Sequence, residues 1–128
     1  MKLLIDTHLL LWAANDTLPQ EAISYFLDND LFFSSASIWE LVIKKGLNRS
    51  DFQVNPDALF CGLLDNGYTE LSVTSFHALL VTHLPLIHKD PFDRILLAQA
   101  KAEGMMLLSS DKILSEYSSV IYIKSSEK

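Results

Sequence analysis

The apolar positions of the chain fall into short runs separated by longer stretches of helical period. The runs are residues 2–5 (KLLI), 31–34 (LFFS), 69–73 (TELSV), 105–108 (MMLL) and 120–123 (VIYI). Apolarity that is continuous rather than alternating is what a strand shows when helices cover both faces of its sheet. Between the runs the pattern predicts helices over 7–14, from Pro19 through Asp28, over 36–45, 56–66, 75–83 and 91–103. Gly46, Asn66-Gly67 and Gly104 are the expected helix stops, and Pro19 and Pro91 suit first helical turns. Residues 47–55 and 85–89 read as loops. Strands separated by helices imply parallel crossovers. The expected fold class is therefore α/β, with a central, mostly parallel five-stranded sheet. No repeat, low-complexity tract or charge block breaks the chain, so residues 1–128 read as one domain.

Four acids sit at or just past these runs. Asp6 closes KLLID, Glu40 lies in SASIWELVIKKG after the second strand, Asp93 lies in HKDPFDRILLAQA, and Asp111 follows MMLLSS. In open parallel sheets ligands gather outside the carboxyl ends of the strands, where the strand order switches. Four carboxylates at one edge would repel one another unless a cation or a raised pKa relieved them.

Each acid also has a plainer reading. Asp6 and Asp111 could simply cap the helices beginning at Thr7 and in KILSEY. Asp90 is an expected N-cap before Pro91, and Asp93 in the first turn favours the helix dipole. Glu40 separates the readings, because it lies past its first turn among Ile38, Trp39, Leu41, Val42 and Ile43. A helix apolar nearly all round is expected to be buried, and a buried acid needs a partner. Lys44 could supply one as an ordinary i,i+4 pair. Ser37, Glu40 and Lys44 share one face, which could equally be the wall of a metal site with Ser37 as supporting hydrogen-bond partner.

Composition narrows the chemistry. The formal net charge of −6 opposes a protein that grips nucleic acid by bulk electrostatics, unless bound cations reverse the local field. The single cysteine, Cys61, cannot form an internal disulfide and is expected to be a buried core thiol. MKLLIDTHLLLWAA looks like a short signal peptide, but Asp6 and His8 interrupt it, and no apolar window is long enough to span a bilayer. A soluble, cytoplasmic protein is expected. His8 and His88 accompany Asp6 and Asp90, yet no zinc-type His or Cys spacing occurs. His77 and His83 read as surface or half-buried helix residues.

Acidic oxygen clusters select hard cations such as Mg²⁺ or Mn²⁺. Such ions clamp phosphate oxygens and promote attack of water on a phosphodiester. There is no phosphate-cradling glycine loop and no serine nucleophile elbow. Metal-assisted phosphodiester hydrolysis fits best.

The segments LLIDTHLLLW, SSASIWELVIKKG, HKDPFDRILLAQAKAEG and LLSSDKIL, in that order, resemble the PIN domain family. More narrowly, they resemble the VapC-like toxins of type II toxin–antitoxin pairs. The H-x-D-P-F-D-R segment is the most specific of them, and the similarity covers nearly the whole chain. The resemblance implies a three-layer α/β/α sandwich and an Mg²⁺- or Mn²⁺-dependent endoribonuclease inhibited by a cognate antitoxin. It implies a catalytic, metal-holding quartet of Asp6, Glu40, Asp93 and Asp111, with Asp90 accessory. Asp6 and Asp93 would hold the main metal, and Glu40 and Asp111 would bind through water or hold a second ion. Ser109 stands where the family has Thr or Ser. Arg94 and Lys112 could touch substrate phosphate, though Arg94 could equally close an ion pair. Lys44, Lys45 and Arg49 form a basic cluster that could face RNA or antitoxin, or be a solvated helix end. A homodimer is implied as well, and Trp12 and Phe52, expected to be exposed apolar residues, permit it.

Two alternatives differ in class. A phosphoacceptor receiver needs an acid pair after the first strand, where Asp6 is single, and an acceptor Asp after the third, where Thr74-Ser75 stands. The other is a non-catalytic PIN-like module that binds RNA or protein.

Overall fold

The computed structural model describes residues 1–47 and 54–124, so Arg49 and Phe52 lie outside the described residues. Five strands form one sheet: β1 (Lys2–Ile5), β2 (Asp30–Ser34), β3 (Thr69–Leu71), β4 (Met106–Ser109) and β5 (Val120–Tyr122). Their order is β3-β2-β1-β4-β5. All four pairings are parallel, with Leu4 opposite Phe32 on one side and Leu107 on the other. The chain builds outward from β1 to β3, then returns to lay β4 on the free side of β1. The order reverses between β1 and β4, and in parallel sheets the carboxyl ends of the strands at such a switch are where ligands gather.

Among the described residues six α-helices flank the sheet: α1 (Thr7–Ala14), α2 (Ile23–Asp28), α3 (Ser35–Gly46), α4 (Pro56–Asp65), α5 (Ser75–Leu80) and α6 (Pro91–Glu103). The two-residue period of β1 sorts them into layers. Leu3 and Ile5 face one core with Leu9 and Leu10 of α1, Leu41 of α3 and Leu59 and Leu63 of α4. Leu4 faces the other with Leu96, Leu97 and Ala100 of α6, Leu107 of β4 and Tyr117. The result is the expected three-layer α/β/α sandwich, its sheet wholly parallel. Each fully buried leucine contributes roughly 1.5–3 kcal/mol over an exposed one, so both faces of β1 anchor it.

Several boundaries differ from expectation, each for a local reason. Pro19 precedes a 3-10 turn over Gln20–Ala22, and α2 begins only at Ile23. Gly46 stays helical as the last residue of α3, and Leu47 is the C-cap. The left-handed glycines are Gly67 and Gly104, which follow α4 and α6 as expected. β3 stops at Leu71, because the next available amide, that of Val73, donates to Ser35 Oγ. α5 gives way to a 3-10 turn at Val81–His83.

Burial corrects other expectations. α3 is not apolar-buried all round, since Trp39 is 59% and Val42 44% exposed. Cys61 is exposed rather than a core thiol. Trp12 is half-buried, packed against the core beside α1. His77 is fully buried, whereas His83 is exposed as expected. His77 closes a capping box with Thr74 and reaches Glu103 of α6 at 2.8 Å. The N-cap role of its Nδ1 is what draws the ring inward.

Candidate active site

Asp6 stands between β1 and α1. Its Oδ1 accepts from Leu9 N at 2.9 Å, so the expected N-cap is real. Its Oδ2 accepts from the hydroxyl of Ser109 at the end of β4. The side chain is buried, and burial raises its pKa above the ordinary carboxylate value, while the bonds from Ser109 and Leu9 oppose the rise. Ser109 also accepts from Asp111 N at 3.0 Å, so one hydroxyl ties two of the acids together.

Glu40 arrives from α3. Ser34 caps that helix by accepting from Ala36 N, which fixes the helix axis at the end of β2. The inner face then carries Ser37 and Glu40, both buried. The Thr7 hydroxyl lies 2.9 Å from Ser37 Oγ and 2.9 Å from Glu40 Oε1. Lys44 Nζ lies 2.8 Å from Glu40 Oε2. The ordinary helix pair and the shared polar wall therefore coexist: Glu40 is a buried carboxylate satisfied on both oxygens.

Asp93 enters from the first turn of α6. Asp90 caps this helix by accepting from Phe92 N at 2.9 Å, with Pro91 at the first helical position. The Asp93 carboxyl is pushed up to about 7, first by burial and then by the charge of Asp90. The charges of Asp6 and Glu40 push the same way, and His88 opposes them. Asp90, Asp6 and Glu40 therefore lie within electrostatic reach of Asp93.

Asp111 completes the group. Its Oδ1 accepts from Ile113 N at 2.9 Å, at the entry to a 3-10 turn over Ile113–Glu116 whose N-cap position is Lys112. Its Oδ2 lies 2.9 Å from His88 Nε2, which is also 3.1 Å from Asp93 Oδ2. Atoms of His88, Asp93 and Asp111 all lie within 4.8 Å of one another. Two carboxylates held this closely, beside the buried Asp6 and Glu40, are the kind of oxygen donors that a hard divalent cation takes.

The remaining expected residues divide. Ser37 and Ser109 lie in the hydrogen-bond network, and Asp90 is both helix cap and electrostatic neighbour. Among the described residues Arg94 closes no ion pair. Its guanidinium donates to the carbonyls of Val81, Pro85 and His88, and so holds the loop before α6. Lys112 and Lys45 are exposed, on the turn after Asp111 and the last turn of α3. His8 is exposed beside Trp12, and its charge favours ionised Asp6.

Two residues had no expected role: Thr7, although it adjoins Asp6, and Tyr117. His88 accompanies Asp90, as its place in the sequence suggests, and its Nε2 also reaches Asp93 and Asp111, which loop spacing could not indicate. Tyr117 accepts at its hydroxyl from Ile87 N and His88 N, and donates to Pro85 O. A cleft of about 930 Å³ also opens between α1, α2 and α4, lined by His8, Trp12, Phe26, Leu59 and Tyr68 among others, and by none of the four acids.

A family model described as the PIN domain matches residues 3–120. No curated protein matches the chain at a significant level. Solved structures do. One is VapBC2 from Rickettsia felis bound to a DNA fragment from its promoter, with a TM-score of 0.68 and 14% identity over 96% of this chain and 98% of that one. Another is a toxin–antitoxin complex from Klebsiella pneumoniae, with a TM-score of 0.66 and 16% identity over 95% and 98%. A third is DNA-bound VapBC from Salmonella typhimurium, with a TM-score of 0.66 and 14% identity over 96% and 97%. Identities this low establish likeness of fold.

Proposed function

The chain belongs to the PIN domain family, and we propose that it is a divalent-metal-dependent endoribonuclease, the toxin of a type II toxin–antitoxin pair. The observation that carries this reading is that Asp93 and Asp111, from separate elements, bring carboxylate oxygens within 4.8 Å of each other, while burial first, and then the charges of Asp90, Asp6 and Glu40, raise the Asp93 pKa to about 7. A fold has little reason to gather like charges in a half-buried crevice unless a cation is to be held there.

In this reading Asp6 and Asp93 hold Mg²⁺ or Mn²⁺, with Glu40 and Asp111 completing the set directly or through water. The bound ion would neutralise phosphate charge and make water a stronger nucleophile. The residues of the chain prepare that site. Ser109 and Leu9 N orient Asp6, while Thr7 and Lys44 hold Glu40. Lys44 and Lys112 are candidates for contacts to the RNA backbone, and Arg94 acts by shaping the loop. RNA as substrate implies action in the cytoplasm, and no helix among the described residues is long and apolar enough to cross a membrane. Likeness to chains from toxin–antitoxin complexes supports a cognate antitoxin as partner. A homodimer is part of the same proposal, as is the treatment of residues 1–128 as one nuclease domain.

The test is Mn²⁺-dependent hydrolysis of RNA by wild type and Asp93→Asn. Cleavage by wild type that is lost in the variant is expected. Equal cleavage by both, or none by a folded wild type with metal, would sink the proposal, and the second result would favour a non-catalytic binding module.

A further inference from the structure

His88 sits against two of the four acids, as a metal ligand would, and three atoms on the His88–Asp93–Asp111 triangle satisfy the spacing of a metal group. The other ring nitrogen says otherwise. His88 Nδ1 accepts from Asp90 N at 3.1 Å. A backbone N–H can only donate, so Nδ1 must keep its lone pair. The ring proton then belongs on Nε2, the atom that lies 2.9 Å from Asp111 Oδ2 and 3.1 Å from Asp93 Oδ2. A nitrogen that carries a proton has no lone pair to give a cation. Metal-bound histidines have the reverse arrangement, with the far nitrogen donating to a carboxylate or carbonyl. The contacts of Nε2 with the carboxylates are hydrogen bonds from one N–H shared between two acceptors.

We propose that His88 serves the site as an Nε2–H donor that holds the Asp93 and Asp111 carboxylates at a set spacing, and not as a nitrogen ligand. It is a positioning residue, and this role rests on the metal-site reading above. The loop is built for it. Tyr117 Oη accepts from the His88 and Ile87 amides, and Arg94 grips the His88, Pro85 and Val81 carbonyls. The backbone of His88 is therefore anchored on both its donor and acceptor sides. Asp90 thereby has two tasks: its side chain caps α6 and its amide sets the His88 tautomer.

The test uses the full chain with ¹⁵N-labelled histidine, the His88 signals being assigned by their loss in His88→Gln. In the metal-free protein near neutral pH, NMR is expected to report the Nε2–H tautomer for His88. An Nδ1–H tautomer overturns the inference. Pulsed EPR of the Mn²⁺-loaded protein is expected to lack a nitrogen coupling that depends on His88. A coupling present in wild type and absent in His88→Gln overturns it too. In calorimetry His88→Ala is expected to weaken Mn²⁺ binding by about 10–100-fold, the usual loss for a group that supports ligands. His88→Gln, whose amide N–H can reach the same carboxylates, is expected to recover most of that affinity. If a folded wild type takes up no Mn²⁺, the metal reading above fails, while the tautomer still decides the role of His88.

Discussion

The Ser109 hydroxyl donates to Oδ2 of Asp6, joining residues 103 positions apart in the chain at the ends of neighbouring strands. Both residues are buried, and the same oxygen accepts from Asp111 N. Ser109→Ala removes the donor and leaves a buried carboxylate short of a partner. A stability loss of about 1–3 kcal/mol is expected, with Ser109→Thr keeping most of it because the hydroxyl remains. Thermal and urea denaturation of the two variants decide this. Equal loss in both would mean that packing rather than the hydrogen bond is at stake.

Asp93 makes stability depend on pH. Its native pKa of about 7 lies above the ordinary value of 3.8. Between those values the folded state holds a proton that the unfolded state has released, so metal-free stability falls as pH rises from about 4 to about 7. Asp6, also raised, adds to the slope. Melting temperatures across this range are expected to decline in wild type and to decline less in Asp93→Asn. A flat wild-type profile would contradict the burial and charge argument.

Metal should reverse that penalty. A divalent ion favours the ionised carboxylates, so Mn²⁺ is expected to raise the melting temperature more at pH 8 than at pH 5. Chelation should return the protein to its metal-free profile. Stabilisation of the same size at both values would place the ion away from the titrating acids.

Arg94 separates a structural role from a substrate role. Its guanidinium serves carbonyls at Val81, Pro85 and His88, which are fixed in direction and leave little for a ligand. Arg94→Ala is expected to cost about 2 kcal/mol and to speed amide hydrogen exchange across residues 81–88. Arg94→Lys should restore only part, since an ammonium lacks the planar fork. Unchanged stability with weakened RNA binding would restore the phosphate-contact role.

Thr7→Val tests the support of Glu40. The Thr7 hydroxyl contacts both Ser37 and Glu40, so the isosteric change strips a partner from a buried carboxylate. Expected outcomes are a loss of about 1–3 kcal/mol and RNA cleavage reduced by about 10-fold or more. Wild-type stability and cleavage rate together would show that Lys44 alone satisfies Glu40.

Much of the fold follows from patterns local enough to read along the chain. The central strands β1 and β4 carry unbroken apolar stretches, Pro91 opens a helix, and Gly67 and Gly104 take the left-handed turns that end two. The acids Asp6, Asp90, Asp93 and Asp111 are legible because caps, turn entries and first-turn acids follow backbone rules that act within a few residues. Glu40 is legible because an acid inside an apolar helix demands a partner. What tertiary structure decided is where side chains with no local rule point. It turned His77 inward to Glu103, left Cys61 outside, gave Arg94 to three loop carbonyls, and brought His88 between Asp93 and Asp111. Hydrophobic periodicity reports which face of an element is buried, and capping reports where it ends. Neither reports which atom of a distant segment will meet a given ring or guanidinium, because that depends on how elements far apart in sequence dock across the sheet.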